Sequence, residues 1–496
     1  MTLPSRLTTD HPDAPAMSAL ALVALLGSTL AMLALSRPID HDESQYVAAA
    51  VLAWGKLPYR DFAYLQTPLQ PLVFAPIAAM AGTLAYPALR LVNALLGAGT
   101  VVAIYAAARA GGVSQRIALA SAGLFASSDI FLFSISVARN DALPAAMLAI
   151  ACWLIMRAEN GKANTVSAAL IGALLAGAAA AKISYAIPAA AYGFYALADR
   201  THRPVTVALG AAPIVALVGW LWALAPGAFW FEVITFPARA PVDWYAGGAR
   251  AFKLTLAAKF GDTLKFLALG PALLAVWAAM RGGLRGHATR VLDILIIAGL
   301  IAALLPTPTW RQYLLPLLPA LFIRLGLAWQ VRPPGSGQRV TAIVLACAGI
   351  APSVEALIGA SRHGLPVVQA AHESAAIAAA LNAARITGPV ATLSPQFVPA
   401  TGRPIDPRFA TGPFFYRSRS LLPAAQANRW QMVSQDQSLP VTPPPAALLI
   451  GGEDRWTSGS AAVEATLLRH PPFDRWRRLP VASDRFRLYA PPAGEP

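Results

Sequence analysis

The acidic residues of this chain are scarce, and they concentrate in one polar segment, residues 37–68. That segment contains four carboxylates and one histidine: Asp40, His41, Asp42, Glu43 and Asp61. Carboxylates beside a membrane surface are costly unless they are solvated or functional, so these residues are candidates for chemistry. The alternative is helix capping, because Asp42 precedes a predicted helix from Glu43 to Trp54 and acidic residues favour a first helical turn. The two interpretations are compatible.

A second polar segment, Ser134–Leu143, contains an arginine and an aspartate two positions apart. The planar guanidinium of Arg139 can form paired hydrogen bonds with a phosphate or a carboxylate. One interpretation is that Asp141 and Asp42 converge on a single site beside this arginine. The other is that Arg139 and Asp141 only pair with each other or cap the following helix.

Two more basic residues stand at the ends of apolar segments. Lys182 follows the run Val166–Ala181 and offers a point charge to a phosphate. Arg311 lies between Trp310 and Tyr313, where it could hold a lipid phosphate. For both residues the simpler interpretation is that a long side chain merely reaches the membrane surface, where aromatic residues are also common.

These candidate residues all lie between long apolar segments. Of the 496 residues, 56% are hydrophobic and 13% are charged, whereas a soluble domain carries roughly 25% charged residues. The apolar residues occur in blocks of about 15 to 23, the length that spans a bilayer core. The sequence therefore predicts a polytopic membrane protein and excludes a soluble enzyme, a disordered chain and a fibrous protein.

The pattern of spans and basic loops predicts about 11 membrane-crossing helices, the first within Met17–Ser36. Leu69–Ala85 is apolar but interrupted by Pro71 and Pro76, so we expect a re-entrant or interfacial helix there. Basic residues in the short loops place residues 1–16 in the cytoplasm. Residues 17–358 then form a transmembrane catalytic domain with a first outer loop at 37–86, and residues 359–496 form a small outer α/β domain.

The net charge of +15 does not indicate a nucleic-acid partner, because the basic residues are scattered over loops rather than aligned in one stripe. Anionic membrane lipids or a phosphate-bearing lipid substrate explain this charge better. Phosphate-binding loops of the P-loop type, HExxH and GxSxG are absent from the sequence. Cys152 and Cys347 lie inside apolar segments, so no disulfide framework is expected.

Four short motifs carry a family resemblance. They are D-E-x-x-Y at Asp42–Tyr46, G-x-L-P-Y-R-D-F at Gly55–Phe62, A-R-x-D at Ala138–Asp141 and R-x-Y-x-L-P-L-x-P at Arg311–Pro319. Together with the lysine that ends a later span, they resemble the GT-C glycosyltransferases over residues 17–330. The branch is that of the protein O-mannosyltransferases and the lipid A aminoarabinose transferases.

The resemblance implies an all-α GT-C-like membrane protein that transfers a hexosyl or pentosyl group from a polyprenyl-phosphate donor, with inversion. It places the general base on Asp42, with Glu43 and Asp141 orienting the acceptor or assisting. Lys182 and Arg311, with Arg60 or Arg139, would stabilise the phosphate leaving group. Motif positions complete the expected substrate-binding set: Tyr46, Tyr59, Asp61 and Tyr313. No cofactor is required, and a divalent metal is possible, since clustered carboxylates could hold one, but it is not indicated.

Two departures from the family pattern bear on mechanism and substrate. Asp40 and His41 precede the acidic pair, which leaves open which carboxylate is the base. The His-Phe-Gly run of the eukaryotic protein mannosyltransferases is absent, which favours a glycolipid or surface-polysaccharide acceptor at the periplasmic face of a bacterial inner membrane. A lipid or sugar transporter, a flippase and a non-catalytic GT-C-like subunit remain the alternatives.

Overall fold

The computed structural model describes residues 19–247, 250–281, 286–422 and 443–492; the expected cytoplasmic tail, residues 1–16, lies outside them. The helices, in chain order, are α1 (Ala19–Ser36), α2 (Glu43–Leu52), α3 (Leu69–Ala81), α4 (Ala85–Ala110), α5 (Gln115–Ala126), α6 (Asp129–Ser136), α7 (Ala142–Arg157), α8 (Thr165–Ala181), α9 (Ala186–Ala198), α10 (Pro204–Leu224), α11 (Pro226–Trp230), α12 (Phe236–Ala246), α13 (Leu256–Ala268), α14 (Ala272–Arg281), α15 (His287–Leu304), α16 (Leu318–Val331), α17 (Ser336–His363), α18 (Pro366–Ala383), α19 (Pro413–Arg417) and α20 (Ala461–Ala465). The strands are β1 (Val390–Ala391), β2 (Ala447–Ile450), β3 (Arg477–Leu479) and β4 (Arg487–Ala490).

The expected fold class, a mainly helical membrane protein with a small C-terminal sheet, is confirmed. Among the described residues, 5 helices are long and apolar enough to cross a membrane, or up to 7 if each of two bent helix pairs counts as one span. These helices are Leu69–Ala110, Ala142–Lys162, Pro204–Leu224, Arg311–Val331 and Ser336–His363. The number of about 11 crossings and the re-entrant character of α3 stay predictions.

Small residues allow two apolar helices, α8 and α10, to approach closely. A Cβ atom added to Gly172 in α8 would lie 1.9 Å from the Val207 carbonyl oxygen in α10. The same close approach occurs in the other direction, since a Cβ atom added to Gly210 in α10 would lie 1.9 Å from the Ala169 carbonyl oxygen in α8. Close backbone packing through glycine is a typical mode of helix association in membranes.

The short helix α2 is buried along nearly its whole length. It packs against α3 and α4 on one side and against the C-terminal turn Pro395–Phe397 on the other. Gly412 lies on Ser44 so closely that an added Cβ atom would be 2.3 Å from the serine Oγ. The helix that follows the acidic cluster is therefore enclosed by both parts of the chain.

The C-terminal sheet has the strand order β1-β2-β4-β3. β1 runs parallel to β2, and β4 pairs antiparallel with both β2 and β3. Leu448 of β2 is fully buried in the core of this part, whereas fully buried Leu449 belongs to a core that this part shares with the helical part. The loop that follows β2, residues 451–459, leads back to the segment between α1 and α2 and contacts His41.

Candidate active site

Three segments that are distant in the sequence meet at one cluster of charged side chains. Residues 40–42 lie between α1 and α2, residues 139–141 lie between α6 and α7, and Lys182 directly follows α8. Their ion pairs link Asp42 to Arg139, Arg139 to Asp141, and Asp141 to Lys182. We call these four residues the Asp42–Lys182 cluster.

Asp42 directs both of its carboxylate oxygens at cations. Oδ2 accepts a hydrogen bond from Arg139, and Oδ1 lies 3.1 Å from Nε2 of His41. The side chain makes no capping hydrogen bond to α2, so the helix-cap interpretation is wrong. Burial alone would raise the pKa of Asp42, but Arg139 and His41 outweigh it and hold this pKa well below its ordinary value. Asp42 is therefore ionised at neutral pH.

Arg139 joins the two aspartates, as one of the two sequence interpretations proposed. Its Nε lies 3.3 Å from Asp141 Oδ2, while Nη1 contacts Asp42 and lies 3.7 Å from Asp40 Oδ1. The side chain is 6% exposed, and its guanidinium carbon lies 6.0 Å from the ring centroid of Tyr46. Arg139 is thus a buried cation held in place by three carboxylates of the protein. A guanidinium fixed in this way is suited to bind another anion, such as a phosphate.

Lys182 points into the protein rather than towards the membrane surface. Its Nζ donates to Asp141 Oδ1, and the side chain is 7% exposed. The same Nζ lies 5.6 Å from the ring centroid of Tyr313. The interpretation in which Lys182 only extends to the membrane surface is therefore wrong.

Glu43 is fully buried and is surrounded by donors from three segments. It accepts from Arg90 Nε at 2.8 Å, from the Tyr86 hydroxyl at 2.9 Å, and from the backbone N–H groups of Ala138 at 2.6 Å and Asp40 at 2.9 Å. These bonds tie the first outer loop to the Arg139 loop. The orienting role expected for Glu43 stays a prediction, and this geometry favours orientation of the loops over contact with substrate.

Arg90, the partner of Glu43, is not among the residues that the sequence motifs indicated. Arg90 lies in α4 and is fully buried, and its guanidinium also donates to the carbonyl oxygens of Ala34, Arg37 and Pro38. The signal available in the sequence was a charged residue inside a long apolar helix, which is rare unless it has a partner.

Arg311 lies outside the Asp42–Lys182 cluster. It donates to Asp129 Oδ2 at 2.8 Å, and its guanidinium carbon lies 3.6 Å from the ring centroid of Phe133. Arg37 also approaches Asp129, at 3.8 Å. The donor-binding role expected for Arg311 stays a prediction.

Tyr59, Arg60 and Asp61 form a turn of their own. The hydroxyl of buried Tyr59 donates to the Gln66 carbonyl oxygen at 2.6 Å, and Arg60 pairs with Asp61 at 2.8 Å. The side chain of Arg60 is 49% exposed. The Tyr59 ring also packs edge-on against Phe229, with ring centroids 4.8 Å apart. None of the contacts named here involves the Asp42–Lys182 cluster, and the expected role of this turn in substrate binding stays a prediction.

The C-terminal part contributes groups that sequence reasoning did not assign. The backbone N–H of His41 donates to the Thr457 carbonyl oxygen at 2.8 Å. Burial raises the pKa of Glu453 to about 7, and His41 and Arg417 act against that rise. The Arg417 guanidinium carbon lies 4.7 Å from the ring centroid of Phe414. None of these residues belongs to the motifs that suggested the site.

Asp40, His41 and Asp42 offer ligand atoms within 4.8 Å of one another, which is close enough to surround a cation. Two features disfavour this use. The Arg139 guanidinium already contacts Asp42, and both ring nitrogens of His41 lie within hydrogen-bond distance of oxygen atoms. A divalent ion would have to displace or approach these positive groups, so the donor set does not suit a metal.

Comparison with known proteins agrees with this architecture. Residues 65–230, less than half of the chain, match the family model described as dolichyl-phosphate-mannose-protein mannosyltransferase. ArnT from Cupriavidus metallidurans bound to undecaprenyl phosphate is similar over 97% of this chain and 99% of that chain, with 16% identity and a TM-score of 0.60. The chain has the ArnT fold. ArnT in the apo state gives 15% identity, coverage of 96% and 98%, and a TM-score of 0.58.

The resemblance to the GT-C glycosyltransferases is thereby confirmed. No curated protein matches the chain in sequence. The family-model match includes Arg139, Asp141 and Lys182 but begins after Asp42 and ends before Arg311. On an ArnT fold, the assignment of Asp42 to the site therefore depends on its contacts in this structure.

Proposed function

We propose that this protein is an inverting glycosyltransferase that moves a hexosyl or pentosyl group from a polyprenyl-phosphate donor to a glycolipid or surface polysaccharide. We place the reaction at the outer face of a bacterial inner membrane, with residues 17–358 as the catalytic domain and 359–496 as a periplasmic domain. One observation carries the proposal: Asp42 shares a cluster of ion pairs with buried Arg139 and buried Lys182 on an ArnT fold. ArnT itself was solved with undecaprenyl phosphate.

The reaction needs a base for the acceptor hydroxyl and cations for the departing phosphate. The acceptor oxygen forms a bond to the anomeric carbon as the bond from that carbon to the phosphate oxygen breaks. The acceptor proton passes to Asp42, and the phosphate departs on the polyprenyl chain with an added negative charge. Arg139 and Lys182 stabilise that charge, because fixed cations in a site shielded from water act strongly on developing anions.

Binding of the donor activates the base in this scheme. In the structure, Arg139 is neutralised by Asp42 and Asp141, and Lys182 by Asp141. A donor phosphate competes for these cations and draws Arg139 away from Asp42 Oδ2. Since Arg139 is one cause of the low pKa of Asp42, its withdrawal makes the carboxylate a stronger base only when donor is present.

The structure also supports Asp42 over Asp40 as the base. Burial and the neighbouring charge of Asp42 raise the pKa of Asp40. Asp40 therefore binds a proton more readily than Asp42 does. Asp40 Oδ1 accepts from the backbone N–H of Asp42 at 2.8 Å, which fits a supporting role. Asp42 remains ionised and has the direct contact with Arg139.

The test is transfer by the purified protein in nanodiscs, offered a panel of polyprenyl-phosphate sugars and a membrane extract as the source of acceptor. We expect release of free polyprenyl phosphate from one donor, and a decrease of at least about 100-fold in Asp42→Asn because the base is lost. Asp484→Asn, a change at an exposed aspartate of the C-terminal part, is the matched control and should retain activity.

Equal release by Asp42→Asn and the wild type would remove Asp42 from the mechanism. If the folded wild-type protein released polyprenyl phosphate from none of the donors, a transporter, a flippase or a non-catalytic subunit would become the better explanation.

A further inference from the structure

His41 is held between two hydrogen-bond acceptors. Its Nδ1 lies 2.9 Å from the Ser458 carbonyl oxygen, and its Nε2 lies 3.1 Å from Asp42 Oδ1. A carbonyl oxygen and an ionised carboxylate accept hydrogen bonds but cannot donate them. Both ring nitrogens must therefore carry a hydrogen, which makes the ring an imidazolium ion.

The charges around His41 agree with this protonation state. Burial opposes it, but Asp42 and Asp40 on the same loop and Glu453 on the C-terminal part favour the positive ring and together raise the pKa of His41 to about 9. Arg139 and Arg417 are the cations nearby, and both also act on Asp42. Phe414 packs on the ring with a centroid distance of 5.9 Å.

The acceptor carbonyl at Ser458 is itself firmly placed. Asp454 begins the turn Arg455–Thr457, and its side chain accepts from the Arg455 backbone N–H at 2.6 Å. The hydroxyl of fully buried Thr457 donates to the Gly452 carbonyl oxygen at 2.8 Å. Ser458 has a φ of 61°, and this left-handed residue ends the turn. The hydrogen bonds of the loop after β2 thus fix the position of the carbonyl oxygen that the imidazole ring contacts.

We propose that His41, in its charged form, is a positioning residue that fixes Asp42 Oδ1 throughout the reaction while Oδ2 is left to receive the acceptor proton. The two oxygens have separate partners, because His41 contacts Oδ1 and Arg139 contacts Oδ2. When Arg139 moves towards a donor phosphate, Oδ2 of Asp42 loses its partner. Oδ1 keeps its contact with His41, so the carboxylate stays in place. This inference rests on the proposed function.

A consequence is that the C-terminal part helps to complete the active site through a backbone group. The carbonyl oxygen of Ser458 orients the ring of His41, which in turn orients Asp42. A small misplacement of a reacting group costs a large factor in rate, up to about 100-fold for 1 Å.

The kinetic test compares His41→Ala and His41→Gln with the wild type in the transfer assay. We expect His41→Ala to lower kcat by roughly 10- to 100-fold with little change in the KM for donor. His41→Gln can still donate one hydrogen bond to Asp42, so it should recover part of that loss. His372→Gln, at an exposed histidine of α18, is the matched control and should behave as the wild type.

The pH profile separates positioning by a charged ring from simple packing. Because the pKa of His41 is raised, the ring is charged below pH about 9 and loses its charge as the pH increases through that value. We expect kcat of the wild type to decline over that range and the decline to be absent in His41→Gln. Identical profiles for the two proteins would overturn the inference.

A second measurement does not depend on transfer activity. In protein with ¹⁵N-labelled histidine in nanodiscs, one imidazolium signal should persist at pH 8 and disappear in His41→Gln. An ordinary titration near pH 6.5 for His41 would overturn the inference even if transfer occurs. A persistent signal in a protein that transfers from none of the donors would contradict the proposed function and leave the charged state of His41 established.

Discussion

At the scale of single residues, Arg139 and Lys182 are both paired with carboxylates, and in the proposed reaction a donor phosphate replaces those partners. Lys182 is the simplest of them to test because Asp141 is its one ion-pair partner among the described residues. We expect Lys182→Ala to weaken apparent donor affinity by roughly 10- to 100-fold, the usual range for a lost charged hydrogen bond, and to affect acceptor affinity far less. Titration of donor and acceptor in the transfer assay measures both. Lys162→Ala, at an exposed lysine, is the control, and an unchanged donor affinity in Lys182→Ala would limit Lys182 to a structural role.

At the scale of elements, the contact between α8 and α10 positions Lys182, which directly follows α8. Backbone atoms of Val207 occupy the space that a side chain at Gly172 would need, and backbone atoms of Ala169 do the same at Gly210. We expect Gly172→Val to destabilise the fold by about 1–3 kcal/mol, the usual cost of overpacking, and to lower the midpoint of thermal unfolding in detergent. Gly193→Val in α9 introduces the same side chain where an added Cβ atom meets nothing within 4 Å. Equal midpoints for the two variants would show that the helices separate without cost.

At the scale of the whole molecule, the helical part and the C-terminal part enclose the site between them, and the orientation of both in the membrane is open to test. We expect a cysteine in place of exposed Asp484 to react with a membrane-impermeant maleimide in intact bacterial cells. A cysteine in place of Lys162 should react only after the membrane is permeabilised, because the loop of Lys162 is expected in the cytoplasm. The wild type supplies the background from Cys152 and Cys347. The reverse labelling pattern would show that the topology is opposite to the expected one and that the proposed reaction takes place at the cytoplasmic face.

The sequence by itself determined the membrane class, since long apolar runs must satisfy their backbone hydrogen bonds as helices. It also selected Asp42, Arg139, Asp141 and Lys182, because charged residues stand out at the ends of apolar segments. Only the tertiary structure decided that Asp42 faces Arg139 instead of capping α2, and that Arg90 neutralises Glu43. It also placed Ser458 beside His41, although 417 positions separate them in the chain. Periodicity and capping rules describe neighbours within a few residues, whereas these contacts arise when distant segments fold together and exclude water from the charges between them.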